Sequence, residues 1–293
     1  MTVDQAPTHN DIICSSLYSN GYVKGLYSDL TLRIHSSNPT MDGIHFKIHK
    51  LLALKSPLLA SFLTNESEIH LTLNDDNLSP EGLGIAIGHL YASYSSSILV
   101  SSLSGSSEIA RAKLLKGVLS AASALRLADL LHLVTTLITA DVGLENVLEY
   151  LDLDQVSSEI SIKISEFLTR GVFDKLEDAW DKSKENYNAL VSLFSKLPWE
   201  LLKNVIESKE FQVPSDMERF SFAKKVVLVR AEEQLSSSEE NVLLSFGLDK
   251  SKSGVTLVRK SVKNLVKKSF VQPNNLLKPL NERKIWKAFE KSD

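Results

Sequence analysis

The sequence predicts an α+β fold at the front of the chain, a small sheet with flanking helical hairpins, followed by an all-α region. Three observations predict it. Leu30, Leu32 and Ile34 alternate with Thr31 and Arg33, the period of a half-buried strand. Between residues 51 and 63 the period turns helical, with Leu51, Leu52, Leu54, Leu58, Leu59, Phe62 and Leu63 carrying it. From Glu145 to about residue 232 the apolar spacing reads as helix throughout. At 293 residues, 43% hydrophobic and 24% charged, the chain has the composition of a globular protein and the length for about two domains of ~150 residues.

The elements follow in order. Residues 12 to 27 place Leu17, Tyr18, Tyr22, Leu26 and Tyr27 roughly on one helical face, interrupted at Asn20-Gly21, and predict a short helix lying on the core that follows. Ser28-Asp29 leads into the first strand. Asn38-Pro39 and Asp42-Gly43 mark a loop before a second strand at residues 45 to 48. Ser56-Pro57 breaks the helical run, Ser as a cap and Pro as the first helical residue. Ile69, Leu71 and Leu73 alternate as a third strand. Ser79-Pro80-Glu81 then opens a helix with Leu83, Ile87, Leu90, Tyr91 and Tyr94 on one face. The serine-rich residues 93 to 107 read as a loop with one short strand, and residues 110 to 128 and 130 to 140 as two further helices.

This order of strand, strand, helical hairpin, strand and helix resembles the BTB (POZ) domain. The residues that carry the resemblance are Ser28-Asp29, Phe46-Lys47-Ile48-His49-Lys50, Ser56-Pro57, Phe62 and Leu90-Tyr91, all in the family's order. The lead-in from Tyr22 to Asp29 resembles fungal BTB proteins in particular. Ala121 to Asp129 is similar to the paired helices that finish such a domain. Further on, Asn146-Val147-Leu148-Glu149, Leu197-Pro198-Trp199 and the capping box Ser215-Asp216-Met217-Glu218 resemble the BACK domain, the helical extension of many BTB adaptors. The organisation implied is an N-terminal extension over 1–27, a BTB/POZ domain over 28–140, a BACK-like helical domain over 141–232 and a basic helical tail over 233–293.

Charge is unevenly spread. Residues 249 to 293 hold 12 Lys or Arg against 4 Asp or Glu, a balance of +8, so the preceding 248 residues carry −11 of the net −3. Val255, Val258, Val262, Leu265 and Val266 predict one helix in the tail, with Arg259, Lys260, Lys263, Lys267 and Lys268 around it, and residues 280 to 289 a last amphipathic piece with Trp286. Ser236 to Glu240 reads as a solvated linker. The basic face is read first as an ordinary surface helix and second as a contact for phosphates, an acidic protein or a membrane surface; a nucleic-acid role is not expected.

No catalytic or metal-binding arrangement rises above background. His45 and His49 stand four apart across a strand-to-helix junction, with no Cys, Asp or Glu completing a metal set. Nucleophile-elbow, phosphate-loop and dinucleotide-binding motifs are missing from the sequence. The expectation is a protein that is not an enzyme, with no cofactor and no small-molecule substrate. No apolar run reaches the ~18 residues of a membrane span. One cysteine, Cys14, and a polar start without a secretory layout point to a reducing compartment, cytoplasm or nucleus.

The resemblance implies association. BTB domains commonly form homodimers through the first helix and the strand before it, which places Leu51, Leu52 and Leu54 in the interface and Asp29 and Lys50 as its buried charged pair. BTB–BACK proteins also serve as substrate adaptors of cullin-RING ubiquitin ligases. That implies a cullin-facing surface at Leu90, Tyr91, Tyr94 and Glu108, although Ser106-Ser107 stands where the family has an apolar anchor. The other reading is a dimeric scaffold or nuclear regulator without cullin binding. No kelch-like repeat appears, so a protein substrate would meet the BACK-like region or the basic tail.

Overall fold

The computed structural model describes residues 9–63, 65–94, 96–153, 157–233, 240–246 and 254–261. The chain divides into two compact units, Met1–Ser161 and Ile162–Asp293.

The first unit is mixed α and β. Helix α1 (His9–Ser16) runs into a π-helical segment, Leu17–Val23. Strands β1 (Leu30–His35), β2 (His45–Ile48) and β3 (Glu68–Thr72) form a sheet in the order β2-β1-β3, with β1 antiparallel to β2 and parallel to β3. The parallel pairing needs a crossover, and two short helices supply it: α2 (Lys50–Ala53) and α3 (Pro57–Phe62). Period-two alternation sends Leu30, Leu32, Ile34, Ile48, Ile69 and Leu71 into the core and leaves Arg33, His35, His45, Lys47 and His70 outside.

Helices α4 (Pro80–His89), α5 (Ser96–Leu103), α6 (Glu108–Ala124) and α7 (Ala128–Asp141) complete the core, with α4 packed on α6 and α6 on α7. The serine caps read from the sequence are made. Ser56 Oγ accepts from Leu59 N at 3.2 Å and Ser79 Oγ from Gly82 N at 3.0 Å. Among the described residues, 93 to 107 hold no strand. They form α5 instead, because Leu99 and Leu103, four apart, are both buried while Val100 is exposed. A 3₁₀ segment, Val147–Leu153, packs on α6, so the first unit extends past the boundary near residue 140.

The second unit begins within α8 (Ser158–Glu166), which continues through a π-helical turn, Phe167–Gly171, into α9 (Val172–Lys175). Gly171 does not stop the helix as expected. It is helical at φ −60°, and a Cβ there would lie 2.9 Å from the Phe167 ring, so its missing side chain makes room for that ring. Helices α10 (Glu185–Ser195), α11 (Trp199–Glu207) and α12 (Asp216–Glu233) surround Phe194, Phe211 and Phe222, with Trp180 edge-on to the last two. Glu218 N donates to Ser215 Oγ at 3.2 Å, so the expected cap starts α12.

The tail departs from its predicted helix. Strands β4 (Glu240–Phe246) and β5 (Val255–Ser261) form an antiparallel hairpin, β5 against α11 and β4 against α12. Val255 and Leu257 are buried and Thr256 and Val258 half-buried, a period of two where a helical face was expected. Leu257 N donates to Glu207 Oε1 at 2.7 Å. Glu240, read as linker, starts β4; residues 234–239 and the amphipathic piece with Trp286 lie outside the described residues.

Candidate interaction site

The approach to β1 sets the site. Gly25 (φ 63°) and Tyr27 (φ 60°) turn the chain in left-handed conformations, unusual for tyrosine. Leu26 is thereby held beside the start of α2, where its carbonyl accepts from His49 Nε2 at 3.1 Å. With Nε2 donating, Nδ1 of His49 is left as an acceptor, and it lies 2.8 Å from the Tyr91 hydroxyl; the hydroxyl oxygen also accepts from His49 N at 3.1 Å. His49 is therefore a structural link between the Leu26 loop, α2 and the end of α4. Burial pushes the Tyr91 hydroxyl up to about 12.

Asp29 and Lys50 do meet, in a different way from the implied charge pair. Asp29 Oδ1 accepts from the main-chain N–H of Lys50 at 2.8 Å, satisfying a free donor in the first turn of α2, which the His49 side chain does not cap. Asp29 is exposed and Lys50 half-buried, so within one chain this is not a buried pair. Around that contact stand apolar side chains with no cover. Leu51 is 76% exposed, Leu54 57% and Tyr27 93%, with Leu52 half-buried. A one-turn helix cannot shield them with its own neighbours, and Leu51 and Leu54 point away from the sheet while Ala53 fills the core side.

The second predicted surface is largely closed. Leu90 and Tyr91 are each 1% exposed and belong to the core, so neither side chain is open to a partner. Their helical face was legible in the sequence; its direction was not. Tyr94 is half-buried and donates to Tyr18 OH at 3.0 Å, while Tyr22 donates to the Gly84 carbonyl at 2.6 Å. The π-helical segment thus lies across the end of α4, and the spacing of Tyr18 and Tyr22 is the signal that could have located it. Glu108 remains open at the start of α6, beside exposed Ile109 and with Val100 exposed on α5. Of the tail residues, Arg259 and Lys260 fall on β5, and Lys263, Lys267 and Lys268 lie outside the described residues.

Sequence order also hid a contact on the open sheet face. Parallel pairing sets β3 beside β1, and His35 Nε2 lies 2.8 Å from His70 Nδ1. The ring centroids are 5.2 Å apart and the planes within 10° of parallel, so one ring nitrogen can donate to the other. Among the described residues no group of three or more His, Cys, Asp or Glu is placed to hold a metal ion, and no helix is long and apolar enough to cross a membrane. The second unit carries a cleft of about 490 Å³ walled by Phe173, Trp180 and Pro214 with Asp178 and Asp181 at its edge. No protein-family model matches the chain, and no curated protein matches it.

Proposed function

We propose that the chain is a non-catalytic protein-interaction module of the BTB–BACK type, whose first unit pairs with a second copy through α2 and the Leu26–Tyr27 loop. The exposure of Leu51, Leu54 and Tyr27 around the Asp29–Lys50 contact carries this reading. Fully burying a side chain of this size contributes about 1.5–3 kcal/mol, and a twofold axis counts each contribution twice. Pairing would also desolvate the Asp29–Lys50 contact, a device that favours one register over others. Light scattering during size-exclusion chromatography tests it. The intact chain is expected at twice its 32.5 kDa, and Leu51→Asp with Leu54→Asp at the mass of one chain. A wild-type chain that stays monomeric at micromolar concentration ends this reading.

The use we propose for such a dimer is that of a substrate adaptor for a cullin-RING ubiquitin ligase. The observation favouring it is the open surface formed by Val100 on α5 and by Glu108 and Ile109 on α6, the region through which the proteins it resembles engage a cullin. Ile109→Asp should abolish retention on an immobilised cullin while leaving the dimer intact. If the wild-type dimer is not retained, the scaffold reading without a cullin takes its place.

A further inference from the structure

Among the described residues, Tyr27, Arg126 and Asp178 are the non-glycine residues at positive φ, at 60°, 57° and 53°. Two of them have a local reason. Arg126 comes just after the cap of α6, where a left-handed residue closes the helix: its N–H donates to the Ser123 carbonyl at 3.1 Å and Leu127 N to the Ala122 carbonyl at 2.8 Å. Asp is a residue type that tolerates this conformation, and the Asp178 carboxylate is held by Lys184. Tyr27 has neither reason. Gly25, at φ 63°, already takes the left-handed place after the π-helical segment, and a side chain as bulky as tyrosine strains the backbone there.

The fold locks this strained residue from both sides. Before it, Leu26 N donates to the Asn20 carbonyl at 3.0 Å and the Leu26 carbonyl accepts from His49 Nε2 at 3.1 Å. After it, Ser28 Oγ donates to the Gly25 carbonyl at 3.1 Å and Asp29 Oδ1 accepts from Lys50 N at 2.8 Å. The side chain so carefully placed is nonetheless 93% exposed, whereas the six other tyrosines are buried or half-buried. A single chain gains no stability from a strained backbone that holds an aromatic ring in water. What it gains is position: a tyrosine has few rotatable bonds, and on a locked backbone it loses little freedom when a partner covers it.

We infer that Tyr27 is the preorganised anchor of the pairing surface, its ring covered by the second copy of the chain, and that the fold gives up stability of the single chain for affinity between chains. This rests on the pairing reading above. The ring stands beside the open side chains of α2, because Leu26 and Asp29, on either side of it, are bonded to His49 and Lys50 where that helix begins. A second copy is the occupant that suits it. A twofold axis brings one ring and one set of Leu51 and Leu54 from each chain, so each copy supplies both an anchor and apolar cover for the other. Tyrosine is also among the residue types that carry most of the binding energy at interfaces, and a rigid one does so at low entropic cost.

Sedimentation equilibrium of the full chain over a concentration series tests this, with the Leu51→Asp, Leu54→Asp chain as the monomeric reference. Tyr27→Asn keeps a residue suited to the left-handed region and removes the ring, and it should weaken pairing by about tenfold or more; Tyr27→Phe should stay within about threefold of wild type. Stability is read as a urea midpoint in the Leu51→Asp, Leu54→Asp background, where single chains alone are present, and adding Tyr27→Asn there should hold the midpoint or raise it. Weaker pairing with an undiminished midpoint is the signature, since a residue that merely supports the fold would lower both. A Tyr27→Asn chain that pairs like wild type, while Leu51→Asp with Leu54→Asp does not pair, overturns the anchor and leaves the pairing surface standing. A midpoint lowered by Tyr27→Asn overturns it as well. A wild-type chain that stays single at micromolar concentration removes the pairing reading itself, and the anchor with it.

Discussion

At the scale of single residues, much of the first unit is tied together by Asp141. Its Oδ1 accepts from Arg111 at 2.5 Å, and its Oδ2 accepts from Asn146 Nδ2 at 2.8 Å and from Tyr150 OH at 2.7 Å. The Tyr150 ring is fully buried and its pKa is raised, first by burial and then by the Asp141 carboxylate. Asp141→Ala would strand both the phenol and the guanidinium, and is expected to lower stability by about 3 kcal/mol, read as a shift in urea midpoint at unchanged slope. His89 carries the pH response. It is 8% exposed, burial lowers its pKa, and Nδ1 accepts from Tyr94 N at 3.0 Å, which requires a neutral ring. A base whose folded pKa lies below its unfolded value of about 6.5 contributes stability above that pH, and the contribution is lost as pH falls through the folded value. Melting temperature should therefore drop from pH 7 to pH 5 more steeply in the wild type than in His89→Asn. An equal slope in the two proteins would show that His89 carries none of it.

At the scale of elements, the approach of α4 to α6 depends on two glycines. A Cβ on Gly82 would lie 2.4 Å from the Gly117 carbonyl carbon, whereas a Cβ on Gly84, two residues along α4, would have its nearest neighbour at 3.5 Å, in the Tyr22 hydroxyl. The pair makes a controlled comparison. Gly82→Ala forces two backbones apart and should cost about 1–3 kcal/mol, while Gly84→Ala should be neutral or stabilise α4 by up to about 1 kcal/mol through helix propensity. Chemical denaturation of both variants checks the difference in sign. The same scale explains the two elements read wrongly from sequence. Short apolar runs such as Ile98-Leu99-Val100 and Val255-Thr256-Leu257 suit helix or strand about equally, and the partner each run meets makes the choice. Leu99 and Leu103 found a core one helical turn apart, whereas Val255 and Leu257 are the buried face of a strand that meets α11 and α12.

At the scale of the whole molecule, the first unit needs the residues just after α7. Val147, Tyr150 and Leu153 are buried, in a segment packed on α6, so a chain ended at residue 140 should be less stable than one ended at 161 by about 5 kcal/mol. Urea titration of the two truncated chains measures this. Equal midpoints would mean that the segment is an appendage. Most of the sheet and its caps was legible beforehand, because alternation, Ser-Pro pairs and Asp29 act over a few residues and leave their period in the sequence. The candidate surface was legible in its residues and not in its exposure: Leu51 and Leu90 look alike as letters, yet one stands in solvent and the other is core. The sequence by itself determined local structure and the front α+β arrangement, through periodicities that short-range packing reads directly. Tertiary structure alone decided which apolar residues stay uncovered and whether the tail pairs as strands, because each depends on neighbours that chain order does not place side by side.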